Sequence, residues 1–263
     1  MPPAARLPDA SASQAVLVGV SRYHRMGPER QLPAVEENLR RLDALLGNPR
    51  VWGLPPANRT VLHQPSDGDQ IIDAIGTAAE RCEDTLLVYY AGHGLTDPLV
   101  DQDLYLALPT TREPRGTHLA LGYKHIRSTL LRAAAVPRKA VILDCCWSGK
   151  VLREMGGEDM AAQAAIEGPA VLTASAATRK ALSPENEPCT AFTGALTDVL
   201  GNGLPGGPEF LDVSTLYLHL HARLGSGARP LPQLGVSGAG AEIVLARNTA
   251  WTGQGRTGAP PEK

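Results

Sequence analysis

The chain has 263 residues, 43% of them hydrophobic and 20% charged, with a formal net charge of −2. One large core fits that length, and the near-neutral charge with no basic stripe gives no reason to expect nucleic acid as a partner. No apolar run approaches the ~18 residues of a membrane span, the N-terminus lacks a secretory apolar stretch, and four cysteines, two of them adjacent, make no disulfide scaffold. No membrane partner is therefore expected, and the expected compartment is the reducing cytoplasm.

Residues 1–13, rich in Pro, Ala and Ser, read as a flexible leader. Ala15–Val20 is a continuous apolar run and reads as a buried strand. In 33–47, Val35, Leu39, Leu42, Leu45 and Leu46 recur at helical spacing and Gly47 supplies the stop. Thr60–Leu62 is a short strand, and Asp69–Arg81 a second helix with Ile71, Ile72, Ile75 and Ala79 on its apolar face. Thr85–Tyr90 is a buried strand running into Gly92-His93-Gly94. Asp103–Leu108 reads as a hairpin edge, Tyr123–Ala133 as a helix, and Lys139–Leu143 as a strand that ends at Cys145-Cys146. Ala170–Thr173 is a further strand, Ala191–Leu200 and Val213–Leu224 are helical, and Glu242–Ala246 is a last strand before a Gly/Pro-rich tail over 248–263.

Strands alternating with helices predict an α/β fold: a mostly parallel central sheet with helices on both faces, one domain over 14–247. In such sheets functional groups gather beyond the carboxyl ends of the strands. His93 follows one strand end, and Cys145 and Cys146 lie at another, so two neighbouring strands would present a thiol and an imidazole at one edge. An ordinary thiol, with a pKa near ~8.5, is mostly protonated at neutral pH, and a nearby imidazole either takes its proton or stabilises the thiolate. Gly92 and Gly94 flank the histidine where substrate backbone must approach closely. The amides of Gly94 and Cys146 are the expected oxyanion donors. No Asn or Asp orienter is assigned, so the site reads as a dyad. There is no phosphate-binding glycine loop, and the other histidines show no metal-ligand spacing, so neither cofactor nor metal is expected.

The constellation resembles the caspase-like cysteine proteases, and their metacaspase and bacterial branches more than the animal caspases. Tyr90-Ala91-Gly92-His93-Gly94 is similar to the family's Tyr-Ser-Gly-His-Gly, and Asp144-Cys145-Cys146-Trp147-Ser148-Gly149 to its Asp-Ser-Cys-His-Ser-Gly. This resemblance makes Cys146 the nucleophile and Cys145 its neighbour, and the 53 residues from His93 to Cys146 agree with the family's spacing of about 50. The resemblance implies a caspase-like three-layer sandwich. It also implies an S1 pocket in which Asp144, two residues before the nucleophile, selects Arg or Lys, with Glu37 and Ser175 beside it. Ala91 replaces one polar S1 residue, and Asp97, Asp101 and Asp103 form no convincing calcium cluster.

The implied function is a cysteine endopeptidase of protein substrates, an effector in bacterial defence or signalling, acting as a monomer or homodimer. Two other readings stand beside it. One is a binding or scaffold protein with little intrinsic proteolysis, regulated by an activating partner or a small messenger. The other is a protease preferring P1 Asp, for which Arg30 is the relevant residue. Lys150–Gly168 is a candidate segment for self-cleavage after Lys150 or Arg153.

Overall fold

The computed structural model describes residues 5–97, 101–112, 117–145, 169–175, 187–225, 231–236 and 238–253. Its centre is three strands whose residues are almost all buried: β1 (Gln14–Gly19), β3 (Thr85–Gly92) and β7 (Arg138–Cys145). Continuous Val, Leu and Ile runs suit this position, because a parallel strand covered on both faces has no solvent side to mark with polar residues. β1 pairs in parallel with β3, and β3 in parallel with β7. β2 (Arg59–His63) joins the far side of β1, and β8 (Ala170–Ser175) the far side of β7. β10 (Leu231–Gly235) closes the sheet antiparallel to β8, giving the order β10-β8-β7-β3-β1-β2.

The helices follow from the crossovers. β1 passes through α1 (Ala34–Gly47) to β2, and β2 returns past β1 through α2 (Gly68–Glu80) to β3. Right-handed crossovers in opposite directions place α1 and α2 on opposite faces. α3 (Tyr123–Arg132) lies beside α2, and α4 (Ala191–Asn202) beside α1, with α5 (Val213–Leu224) next to α4. The result is a three-layer sandwich with helices on both faces, as the sequence predicts. Gly19 shows how tightly α1 sits on the sheet: a Cβ there would stand 2.6 Å from Leu39 Cδ1 and 2.9 Å from Val35 Cγ1. α2 and α5 each start at an aspartate, where Asp67 accepts from the amide of Gln70 and Asp212 from that of Thr215.

Most predicted elements appear within a residue or two of their expected limits. β3 runs two residues past Tyr90, because β7 continues to pair with it through Ala91↔Asp144 and Gly92↔Cys145. Strands not foreseen are short or at edges. β4 (Gly94–Asp97) and β6 (Ala120–Gly122) join the expected β5 (Asp101–Ala107) in a small antiparallel sheet, and β9 (Phe210–Asp212) pairs with the expected β11 (Val244–Arg247). β10 carries Pro232 and no apolar run, which an edge strand tolerates.

Both chain ends of the domain are tied down by side chains. Asn58 donates to the carbonyls of Ala10, Ser11 and Ser13, and the Asp9 amide donates to Asp84. Asn248, 2% exposed, accepts from the Leu204 and Ala250 amides and donates to the carbonyls of Leu204 and Pro208. The proposed cleavage segment Lys150–Gly168 lies outside the described residues.

Candidate active site

The register of the two central strands fixes one end of the site. Gly92 of β3 lies opposite Cys145 of β7, so the next residues along the two chains are His93 and Cys146. Cys146 itself lies outside the described residues, as does the side chain of Ser175. Cys145 is fully buried, and His93 is 3% exposed.

His93 is gripped from three directions. Its amide donates to the Tyr23 hydroxyl at 2.7 Å, and that hydroxyl in turn donates to the Val20 carbonyl at 3.1 Å. Its carbonyl accepts from the Ala107 amide and from the Tyr90 hydroxyl, which also reaches the Ala107 carbonyl at 2.7 Å. The imidazole lies against the Tyr23 ring, centroids 4.7 Å apart, and its Nε2 stands 2.7 Å from the carbonyl oxygen of Arg30. A carbonyl oxygen can only accept, so Nε2 carries the proton in that bond. Nδ1 of a neutral ring then holds the lone pair. Gly92 is required by this packing, since a Cβ there would lie 2.5 Å from the Tyr90 hydroxyl and 2.9 Å from that of Tyr23.

Sequence reasoning left the histidine without an orienter. The structure supplies one from main chain, which any residue type carries, so no sequence signal marks Arg30. Tyr23 was visible only as an aromatic residue shortly after the first strand. Gly94 opens β4 directly after His93, opposite Leu106.

Asp144 lies in β7 on the face covered by α1 and α4, completely buried. Its Oδ2 accepts from the hydroxyls of Thr190 and Thr193, both at 2.5 Å, and from Asn38 Nδ2 at 3.4 Å. Thr190 accepts from Asn38 at 2.8 Å, and Tyr89 donates to Thr193 at 2.7 Å while Thr193 donates onward to Asp144. Oδ1, equally buried, has no hydrogen-bond partner among the described residues, although the Thr193 amide stands close enough to the carboxyl to pull its pKa down. Burial pushes the Asp144 carboxyl from 3.8 up to about 6, against the opposing pull of the two threonines. The same burial, with Asp144 as neighbour, drives the Tyr89 phenol well above its ordinary range.

Glu37 is one residue from Asn38 on α1, and its carboxylate goes elsewhere. Arg40 donates to both its oxygens and Arg41 to one, at 2.6–2.7 Å, which lowers its pKa to about 2. The α1 side chain that meets Asp144 is thus Asn38, an amide whose helical position carried no distinguishing pattern. Among the described residues no group of three or more His, Cys, Asp or Glu could hold a metal ion, and no helix is long and apolar enough to cross a membrane.

Comparison with known proteins agrees with this architecture. A protein of Geobacter sulfurreducens has the same fold at 20% identity, with a TM-score of 0.59 over 90% of this chain and 98% of that one. The Drosophila initiator caspase Dronc matches at 11% identity, with a TM-score of 0.57 over 92% of this chain and 85% of that one. No curated protein matches by sequence. The caspase domain model matches residues 12–236, which span both strand ends of the site, and the chain accordingly belongs to the caspase domain family as a caspase-like cysteine peptidase.

Proposed function

We propose that the chain is an endopeptidase whose Cys146 is activated by His93 and which cleaves protein substrates after Arg or Lys. Nδ1 of His93 takes the thiol proton as Sγ attacks the scissile carbonyl, and the amides of Gly94 and Cys146 receive the oxyanion. The imidazolium then gives its proton to the departing amine, leaving a thioester on Cys146, which water hydrolyses with His93 again as base. Throughout, the Arg30 carbonyl accepts from Nε2, holding the ring's tautomer when neutral and its charge when protonated.

The observation that carries the specificity is the lopsided hydrogen bonding of Asp144. Among the described residues three side-chain donors converge on Oδ2 while Oδ1 has none, and a buried carboxylate oxygen without a donor is costly to maintain. A guanidinium or ammonium at P1 supplies that missing donor and a compensating charge; an acidic side chain would be repelled. Ser175 completes the pocket in this reading, and Glu37, already neutralised by two arginines, adds little negative charge to it. Placement in a cytoplasmic defence or signalling system, switched by a partner or small messenger, belongs to the same proposal and comes from the resemblance alone.

The test is a panel of fluorogenic peptides with Arg, Lys or Asp at P1, read with wild type and Cys146→Ala. Cleavage after Arg and Lys that vanishes in Cys146→Ala is expected. Cleavage after Asp alone would overturn the role of Asp144.

A further inference from the structure

The geometry points to Gln31 as a positioning residue of the active site: its side-chain amide closes the loop between β1 and α1 into the shape that delivers the Arg30 carbonyl and the Tyr23 ring to His93. This rests on the reading of His93 as the base that activates Cys146.

The loop spans residues 20–33 and holds two of the three grips on His93. It has little regular structure of its own, a single 3-10 turn at Pro28–Arg30. Its ends are joined by the bond from the Leu32 amide to the Ser21 carbonyl at 2.8 Å, which fixes where the loop starts and stops but not its interior. Gln64 holds the loop's first residues at Ser21 and Arg22 and the His24 amide donates to the Pro109 carbonyl, while across the rest of the interior reaches one side chain from the loop itself. Gln31 Oε1 accepts from the Tyr23 amide at 2.7 Å, and Nε2 faces the carbonyls of Tyr23 at 3.2 Å and of Met26 and Gly27 at 3.1 Å. The two protons on Nε2 are shared among those three acceptors, so both ends of the amide are fully used.

Each contact bears on the catalytic ring. Tyr23 is held at its amide and its carbonyl, which fixes the backbone from which its side chain reaches the His93 ring and amide. Gly27 is held at its carbonyl, which also accepts from the Arg30 amide at 3.0 Å, so the turn that presents the Arg30 carbonyl starts from an anchored residue. Gln31 is also the residue directly after Arg30, so its Cα position and the direction of the Arg30 carbonyl share one peptide plane. A hydrophobic side chain of the same length would fill the space but take the acceptor from the Tyr23 amide and the donor from the Met26 carbonyl, leaving the Tyr23 and Gly27 carbonyls only their bonds from the Met26 and Arg30 amides. The loop would then relax toward water, and the Arg30 oxygen with it.

The experiment reads the His93–Cys146 couple without needing a substrate. Iodoacetamide alkylation of Cys146 is followed against pH by mass spectrometry of the Cys146 peptide, in wild type, Gln31→Met and His93→Ala, with folding checked by circular dichroism and thermal melting. In folded Gln31→Met, loss of the Arg30 contact weakens the imidazolium partner of the thiolate. Alkylation at pH 7 is expected to be about tenfold slower or more, with its pH midpoint moved up. A merely structural role would lower the melting temperature and leave that profile where it was. A wild-type profile in Gln31→Met, with His93→Ala altered, overturns the role of Gln31 alone. A wild-type profile in His93→Ala overturns the reading of His93 on which it rests. If Gln31→Met does not fold, Gln31→Glu is read in the same assay; it keeps the acceptor for the Tyr23 amide and loses only the donors, and an unchanged profile there refutes the proposal.

Discussion

Replacing Asp144 by Asn tests whether this carboxyl is held at a cost to the fold. In the folded chain the group is fully buried and its pKa is raised from 3.8 to about 6. A raised carboxyl pKa means the folded state binds the proton more tightly than the unfolded state. The sign follows from linkage: well below 4 both states are protonated and the group contributes nothing to pH dependence. As pH rises through 4 to 6 the unfolded chain ionises first, and stability falls until the folded carboxyl has ionised as well, levelling off above about 7. The size is about 3 kcal/mol at the plateau, most of which develops between pH 4 and 7.5. Asn cannot ionise, so Asp144→Asn lacks this component. Its own constant effect, from placing an amide NH2 or oxygen where Oδ1 and Oδ2 were, is common to both pH values and cancels in the comparison. Urea unfolding of Cys146→Ala with and without Asp144→Asn, at pH 4 and 7.5, gives the difference directly. The Asn variant should gain about 2–3 kcal/mol relative to its parent between the two. A difference independent of pH would refute the claim that burial raises this carboxyl. A difference of opposite sign would mean that the threonine donors outweigh burial, and that the carboxylate stabilises the fold.

Two further outcomes follow from packing and hydrogen bonding. Gly92→Ala forces a methyl against the Tyr90 and Tyr23 hydroxyls, so peptide hydrolysis should fall by about 100-fold or more with about 1–3 kcal/mol of lost stability, checked by kinetics beside thermal melting; near-wild-type turnover would mean that the His93 grip tolerates displacement. Asn248→Ala removes four hydrogen bonds at a buried position and should lower stability by about 2–3 kcal/mol in urea unfolding, and a loss below about 0.5 kcal/mol would show that the Leu204 and Pro208 carbonyls find water instead.

The sequence made the scaffold legible because the scaffold is encoded in local patterns. β1, β3 and β7 are unbroken aliphatic runs, and α1 and α2 show apolar residues at helical intervals, so each could be recognised without its neighbours. β10 and the small strands could not, because β10 lies at an edge with a proline and β6 and β9 have three residues each; their pairing is decided by what lies beside them. The site divides along the same line. His93 was legible from its place after a strand between two glycines, and Asp144 from its place in a motif. What surrounds them was not, because it comes from distant segments: Arg30 is 63 residues from His93, Thr193 is 49 from Asp144, and Asn38 is 106 from it.

That division has a physical basis that bears on how such a site can change. The bond from Nε2 uses a backbone oxygen, so this contact does not depend on which side chain residue 30 carries so long as the loop keeps its course. The constraint on sequence therefore falls on the residue that shapes the loop, Gln31, and on the glycine that leaves room for two tyrosine hydroxyls. At Asp144 the situation is reversed. Among the described residues the hydrogen bonds to Oδ2 come from the side chains of Asn38, Thr190 and Thr193, with the Thr193 amide beside the carboxyl, and each is a neutral donor that leaves its charge uncompensated. Neutral donors hold the carboxyl in place while leaving its pKa raised, whereas a lysine or arginine in the same position would have paired the charge and removed the acceptor. A fold that needed only stability at this position would be better served by an apolar residue or a closed ion pair. An ionisable group at this buried position is what the proposed P1 role of Asp144 calls for, and the pH dependence of stability tests its burial while the P1 preference tests that role.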